Sequence, residues 1–168
     1  CSRDWSSDVC SSDLSNVRHI RHGDPARVLA AALAALARAG VMIEAVAPVI
    51  HSAPLGPSRR RYANGAALMA CDMEPEALLA LLKATERAFG RRRGGRRWGS
   101  RVLDLDVVLW SGGCRVAPGL VVPHPEFRTR AFVLEPARRI VPQWRDPVTG
   151  LTVTHLAARL RAPTPKER

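Results

Sequence analysis

The segment from Gly90 to Trp110 carries the residues of this sequence that could do chemistry. A glycine-rich loop with six arginines leads directly into an apolar stretch with the pattern of a strand. Asp104 and Asp106 lie two residues apart on that strand, so both carboxylates leave the same face, with Cα atoms roughly 6.6 Å apart. Paired carboxylates can hold hard cations such as Mg²⁺, and neighbouring guanidinium groups suit phosphate oxygens. The segment therefore predicts chemistry on a nucleotide polyphosphate with its Mg²⁺.

The composition is that of a globular chain with an excess of positive charge. The 168 residues are 46% hydrophobic and 24% charged, which predicts one domain with a sizeable core. A net charge of +11 favours an anionic partner: nucleic acid, a membrane surface or a phosphorylated small molecule. A genome-wide preference for arginine explains much of this charge, but not its clustering between Arg91 and Arg101.

The cysteines and apolar runs bear on the location of the protein. The four cysteines show neither a pairing pattern nor the spacing of a metal site. The apolar runs are too short to span a bilayer, and we see no signal-peptide pattern. We therefore expect a cytoplasmic protein.

The first fourteen residues differ from the rest of the chain. They are rich in serine, repeat Ser-Ser-Asp at 6–8 and 11–13, and show neither strand alternation nor a helical stripe. We expect a non-native leader or a disordered tail over 1–14, a folded domain over 15–162 and a disordered tail over 163–168. If the leader replaces a native first strand, a poor strand former would fill a central position of the sheet.

The remaining pattern predicts an α+β fold. Asp24 and Pro25 supply an N-cap and an N1 proline for a helix that ends near Arg38. The further predicted elements are strands at 42–52 and 62–71, a helix at 72–89, strands at 102–110 and 119–122, and a helix at 153–160. With a first strand placed before the first helix, the order is β-α-β-β-α-β, the ferredoxin-like arrangement of an antiparallel sheet with helices on one face.

Several motifs follow one another in a fixed order. They are Pro54-Leu55-Gly56-Pro57, Tyr62-x-Asn64-x-Ala66, Glu86-x-x-x-Gly90-Arg91, Arg97-Trp98-Gly99-x-Arg101-x-Leu103-Asp104-Leu105-Asp106, Val122-Pro123-His124-Pro125 and Arg130-x-Phe132-Val133-Leu134. Over some 145 residues, this series resembles the 6-hydroxymethyl-7,8-dihydropterin pyrophosphokinases. The resemblance implies a folate-pathway enzyme that moves pyrophosphate from ATP to a pterin alcohol.

The resemblance also implies the residues that handle ATP. Asp104 and Asp106 would hold two Mg²⁺ ions that bridge the phosphates; the alternative for such a pair is a solvated strand edge. Arg91 and Arg101 would be the catalytic, phosphate-contacting arginines on a loop that closes over the site. The further implied ATP-binding residues are Glu86, Arg93, Arg97, Trp98, His124 and Arg130.

The pterin requires a flat slot with hydrogen-bonding edges. By the resemblance, Tyr62 and Phe132 would enclose the ring and Asn64 would bind its edge. Ser52, Ala53 and Leu55 would line the neighbouring loop. Tyr62 and Phe132 could instead be ordinary core aromatics, and His124 could be structural.

Two other readings compete with this one. The first is an inactive or truncated homologue. The second is a basic ferredoxin-like module that binds RNA, but the aromatic signature of such sheets is absent and the paired aspartates would repel phosphate unless metal is present. We therefore expect small-molecule partners, no nucleic acid, no membrane and a monomer.

Overall fold

The computed structural model describes residues 8–15, 19–52, 62–90 and 102–161. The strands are β1 (Asp8–Ser15), β2 (Met42–Val46), β3 (Ile50–Ser52), β4 (Tyr62–Ala70), β5 (Asp104–Trp110), β6 (Arg115–Ala117) and β7 (Leu120–Val122). The helices are α1 (Pro25–Arg38), α2 (Pro75–Ala88), α3 (Ala131–Ile140) and α4 (Val153–Arg161), with a 3₁₀ turn at Phe127–Thr129.

The main sheet is antiparallel, in the order β2-β4-β1-β5, with β3 also paired to β4. This order confirms the ferredoxin-like β-α-β-β-α-β prediction. The single strand predicted at 42–52 is two strands, β2 and β3, along the same edge of β4. Pro48 lies between them and has no N–H for a sheet ladder, which explains the interruption. Strands β6 and β7 form a separate hairpin.

Strand β1 occupies the centre of the sheet, between β4 and β5. The alternative of a disordered tail is therefore wrong for Asp8–Leu14, which pairs with both neighbouring strands. Two flanking strands satisfy the backbone of β1 whatever its side chains, and this outweighs the weak strand propensity of its serines. Val9 and Cys10 are fully buried on opposite faces, in the two apolar clusters described next.

Helices pack on both faces of the sheet, not on the one face predicted. Helices α1 and α2 cover a cluster that includes Leu36, Leu82 and Leu105. Helices α3 and α4 cover a second cluster on the opposite face, which includes Val108 and Leu134. The sequence analysis assigned no helix to α3. Pro136 lies inside this helix, although a proline usually ends a helical pattern.

The first helix begins where its capping residues predict. The Asp24 side chain accepts a hydrogen bond from the Arg27 N–H at 3.0 Å, and Pro25 occupies the first turn. Helix α2 begins at Pro75 instead of the predicted Asp72, again with proline in its first turn. Among the described helices, none is both long and apolar enough to cross a membrane.

Candidate active site

The face of the sheet under α3 and α4 changes from apolar to polar towards one end. Ala66 and Val108 belong to the apolar cluster beneath these helices. Because strand side chains alternate, Asn64, Asp104 and Asp106 continue the same face, and the register sets Asn64 and Asp104 on either side of one residue of β1. The fold therefore brings the predicted metal ligands and a predicted pterin residue to one end of one face.

The two aspartates differ in burial. Asp104 is 8% exposed, whereas the side chain of Asp106 is 33% exposed. Leu103, Leu105 and Val107 fill the opposite face of the strand with buried apolar contacts. The carboxylate pair is therefore fixed on a rigid strand, with Asp106 as the more accessible member.

Lys83 of α2 reaches the carboxylate pair across the edge of the sheet. Its Nζ donates to Glu86 Oε1 at 2.7 Å and to the Leu105 carbonyl oxygen at 2.8 Å. The same Nζ lies 3.1 Å from Asp106 Oδ1 and 3.9 Å from Asp104 Oδ1. Burial alone lowers the pKa of Lys83, but Asp106 and then Glu86 outweigh it and raise the pKa above its usual value. Lys83 is therefore charged at neutral pH.

Glu86, one turn after Lys83 on α2, is 1% exposed. Its Oε1 accepts a hydrogen bond from the Leu105 N–H at 2.8 Å as well as from Lys83. Strand β5 lies at the edge of the sheet, so Glu86 satisfies a backbone donor that has no neighbouring strand. These contacts place Glu86 behind the aspartates; its predicted contact with ATP stays a prediction.

His124 lies beside β5 because its N–H donates to the Val108 carbonyl oxygen at 3.0 Å. Its Nδ1 accepts a hydrogen bond from the Glu126 N–H at 3.2 Å, which assigns the proton of the neutral ring to Nε2. Burial lowers the pKa of His124; Asp106 opposes this and Arg130 adds to it. The ring therefore presents an N–H donor at neutral pH, as binding to a phosphate oxygen requires.

A cavity of about 250 Å³ joins these groups to the hairpin β6–β7. Lys83, Asp106 and His124 supply its polar side, while Leu79 and Leu120 are among its apolar lining residues. Gly119 also lines the cavity, in the two-residue hairpin turn, with a positive φ of 78°. Such a cavity offers phosphate-binding groups at one side and an apolar wall at the other.

Arg130 and Phe132 lie at the start of α3. The Arg130 guanidinium is 5.9 Å from the centroid of the Phe132 ring and 3.8 Å from Glu126 Oε2. Phe132 is partly buried and packs against the second apolar cluster. The structure thus places the predicted nucleotide-facing arginine against the predicted pterin-stacking aromatic.

Asn64 is buried, 2% exposed, at the start of β4. Its Nδ2 donates to Ser52 Oγ at 3.0 Å and more weakly to the carbonyl oxygens of Ile50 and Tyr62. Within the described ranges, its Oδ1 has no hydrogen-bond partner. Asn64 and Ser52 are therefore brought together as predicted, and Tyr62, 7% exposed, lies opposite Ser52 on β4.

Seven predicted site residues lie outside the described residues. They are Ala53, Leu55, Arg91, Arg93, Arg97, Trp98 and Arg101. The described chain stops at Ser52 and resumes at Tyr62, then stops at Gly90 and resumes at Val102. Ser52, Tyr62 and Val102 all adjoin the polar end of the sheet.

The sequence analysis missed Lys83. A signal was available, since Lys83 is one of only two lysines among 26 basic residues, and it stands three residues before the motif residue Glu86. That spacing puts the two side chains on one face of a helix. The contact with Asp106 could not be foreseen, because it depends on how α2 packs along β5.

The donor set of the aspartate pair suits Mg²⁺. Magnesium is commonly bound by one or two carboxylates together with substrate phosphates and water. In the described part of the chain, no group of three or more His, Cys, Asp or Glu side chains could hold a metal by itself. The ammonium of Lys83 already occupies a cation position against Asp106, which supports cation binding there.

The chain matches a known family over most of its length. The sequence profile described as 7,8-dihydro-6-hydroxymethylpterin-pyrophosphokinase (HPPK) covers residues 15–142. This range begins at the last residue of β1 and includes both aspartates, His124 and all of α3.

Individual relatives are named as pyrophosphokinases of a hydroxymethyldihydropteridine. A 2-amino-4-hydroxy-6-hydroxymethyldihydropteridine pyrophosphokinase of Pseudomonas aeruginosa is 40% identical over 126 residues, 74% of this chain and 77% of the relative. The Methylorubrum extorquens protein is 36% identical over 140 residues, 82% of this chain and 87% of the relative. The Synechocystis protein is 37% identical over 118 residues, which is 70% of this chain but only 60% of the relative.

Proposed function

Because the chain belongs to the 7,8-dihydro-6-hydroxymethylpterin-pyrophosphokinase family, we propose that it transfers pyrophosphate from ATP to 6-hydroxymethyl-7,8-dihydropterin. The products are AMP and the pterin diphosphate, an intermediate of folate biosynthesis. The single observation that carries this proposal is the cavity in which Asp106, Lys83 and His124 converge beside Asp104.

Asp104 and Asp106 are the proposed ligands of two Mg²⁺ ions. Their carboxylates leave one face of β5, and Asp106 reaches the cavity. Bound Mg²⁺ would neutralise charge on the phosphate oxygens during the transfer. The aspartates supply rigid oxygen ligands for it, and the buried leucines behind them prevent the strand from shifting.

His124, which lines the cavity, and Arg130, at the start of α3, are the proposed ATP contacts. The Nε2 proton of neutral His124 can be donated to a phosphate oxygen. Arg130, stacked near Phe132, offers a guanidinium to the same anion. In this proposal Glu86 acts indirectly, through its hydrogen bonds with Lys83 and the Leu105 N–H.

The pterin slot is proposed between Asn64 and Phe132. The buried Asn64 Oδ1 is an acceptor without a partner among the described residues, and the exocyclic amino group of a pterin is a donor. Ser52 holds the Asn64 amide so that this oxygen is oriented. Tyr62 and Phe132 supply aromatic surface near the same end of the sheet.

The arginine segment completes the site in this proposal. Arg91 and Arg101 neutralise the moving phosphoryl oxygens, and Arg93, Arg97 and Trp98 contribute further ATP contacts. Closure of this segment would exclude water, which competes with the pterin alcohol.

We retain a monomeric, cytoplasmic enzyme as part of the proposal. Among the described residues, the buried Cys71 and the exposed Cys114 are free thiols, which suits a reducing compartment.

The proposal is tested by measuring AMP formation from ATP with this chain. AMP should form only when both the pterin alcohol and Mg²⁺ are present. A folded protein that forms no AMP under these conditions would support the reading as an inactive homologue. AMP formation without pterin would indicate a hydrolase.

Asp106→Ala gives a sharper form of this test. The variant should lose turnover by at least about 100-fold, because the group serves the metal ions. It should keep its fold, since the side chain is one-third exposed. A near-normal rate in the folded variant would contradict the metal assignment.

A further inference from the structure

Lys83 contacts the carboxylates of the proposed site and also lines its cavity. It is the described lysine whose ammonium meets the carboxylates of Glu86 and Asp106 and the carbonyl oxygen of Leu105. Its side chain is 32% exposed, and it also lines the cavity. The ammonium therefore faces both the carboxylate pair and the space in which the phosphates are proposed to bind.

The ammonium of Lys83 changes the net charge at the aspartate pair, because it faces both the pair and the cavity. A divalent ion that binds Asp106 would meet the ammonium already on the same carboxylate oxygen, and like charges at such spacing repel strongly in a partly buried site. Nucleotide phosphates would bring negative charge to the cavity and provide the ammonium with a new partner. Metal and nucleotide would then assist each other's binding, through Lys83.

We propose that Lys83 is a built-in counter-cation of the Asp104–Asp106 pair that makes metal binding depend on the nucleotide. Without nucleotide, the ammonium neutralises the pair and metal ions bind weakly. When nucleotide binds, Lys83 keeps its hydrogen bonds to Glu86 and to the Leu105 carbonyl oxygen. Its ion pair with Asp106 breaks, so that Asp106 can bind the metal and the ammonium faces the phosphates. Lys83 is therefore a positioning residue. This inference rests on the proposed function, because it takes the two aspartates as metal ligands.

The direct test is the affinity for Mn²⁺ alone, measured by electron paramagnetic resonance of the free ion. Lys83→Gln should bind Mn²⁺ about tenfold more tightly than the wild type, because a like charge has been removed from beside the site. In the presence of a non-hydrolysable ATP analogue, this advantage should disappear, since Lys83 then contributes to nucleotide binding. Equal affinity of Lys83→Gln and wild type for Mn²⁺ alone would overturn the proposal.

Arg87→Met is the matched control for the loss of one positive charge. Arg87 lies on the same helix, one turn beyond Lys83, and is exposed. Because exposed charges are screened by solvent and salt, this variant should change the affinity for Mn²⁺ by less than about twofold. A gain in Arg87→Met equal to that in Lys83→Gln would show a general charge effect and overturn the specific role.

Asp106→Asn separates failure of this inference from failure of the proposed function. If Asp106→Asn binds Mn²⁺ as tightly as the wild type, the metal site lies elsewhere and both proposals fall. If Asp106→Asn loses the ion but Lys83→Gln gains no affinity, the metal site stands and only the role of Lys83 is refuted.

A measurement on the wild type tests the proposal even if Lys83→Gln does not fold. Lys83 and Lys166 are the two lysines of the chain, so acetylation followed by mass spectrometry reports Lys83 against an internal reference. Mn²⁺ alone, at the concentration that saturates the resonance titration, should raise the acetylation ratio of Lys83 to Lys166 at least about twofold, because repulsion by the metal moves the Lys83 side chain away from Asp106 and opens it to the reagent. An unchanged ratio would contradict displacement of Lys83.

Discussion

The Glu86 carboxylate accepts a hydrogen bond from the Leu105 N–H at 2.8 Å, and Leu105 separates the two aspartates of the site. Glu86 is 1% exposed and comes from α2, whereas Leu105 belongs to the edge strand β5. One buried carboxylate thus binds the helix to the strand beside the two proposed metal ligands. The same oxygen accepts from Lys83, so the position of the ammonium and of the strand are coupled.

Glu86→Ala should destabilise the protein by about 3 kcal/mol, because it removes one partner of a buried ion pair and leaves the Leu105 N–H without its acceptor. Glu86→Gln keeps an acceptor and should lose less than Glu86→Ala. Urea unfolding checks both, with the exposed Glu44→Ala as a control expected within about 0.5 kcal/mol of the wild type. A Glu86→Ala protein as stable as the control would remove Glu86 from this structural role.

Asp146 should make stability depend on pH at acid values. Burial alone raises the pKa of Asp146, but hydrogen bonds from Arg128, Thr149 and the Val148 N–H outweigh it and lower the pKa to about 2. Since an unfolded aspartate titrates near about 3.9, the stabilisation is full above that pH and is lost as the pH falls through about 2. The contribution at neutral pH is about 2 kcal/mol.

Asp146→Asn checks this expectation by urea unfolding between pH 7 and pH 2. The variant should be less stable at pH 7, and the difference from the wild type should shrink as the pH falls below about 4. Arg128 belongs to the 3₁₀ turn between His124 and Arg130, so the variant should also weaken ATP binding. A difference in stability that does not change with pH would contradict the assigned pKa.

Arg101→Ala should mainly lower kcat, by roughly 100- to 1000-fold, because its interaction with the phosphoryl oxygens strengthens as the transition state forms. Arg92→Ala is the matched control, since we expect Arg92 to be a solvated neighbour on the same segment. Steady-state kinetics with both substrates separates kcat from KM. An effect confined to KM would assign Arg101 to ground-state binding.

Asn64→Ala should weaken pterin binding by about tenfold, the effect of one buried hydrogen bond, and leave ATP binding within about twofold of the wild type. Isothermal titration with each substrate measures both affinities, and the ATP titration is the internal control. Equal losses for the two substrates would indicate that Asn64 supports the fold instead of reading the pterin edge.

Local signals predicted the elements that carry the aspartates. The apolar alternation around Asp104 and Asp106 predicted β5, and the Asp24-Pro25 cap predicted the start of α1. These features depend on neighbours in sequence, so composition and spacing suffice. The family motifs then located His124 and Asn64 without any knowledge of their contacts.

The errors and omissions came from tertiary contacts. Residues 8–14 form a central strand because β4 and β5 flank them, whatever their serine content. Helix α3 continues through Pro136 because its apolar face covers the second cluster. Lys83 acquires its role only through the packing of α2 against β5, which no local pattern contains.

The most direct measurement of the central claim is ³¹P nuclear magnetic resonance of the products formed from ATP, Mg²⁺ and 6-hydroxymethyl-7,8-dihydropterin. The account predicts AMP and a pterin diphosphate in equal amounts, formed at least about 100-fold more slowly by the folded Asp106→Ala variant. ADP with a pterin monophosphate, or inorganic phosphate with unchanged pterin, would contradict pyrophosphoryl transfer at this site.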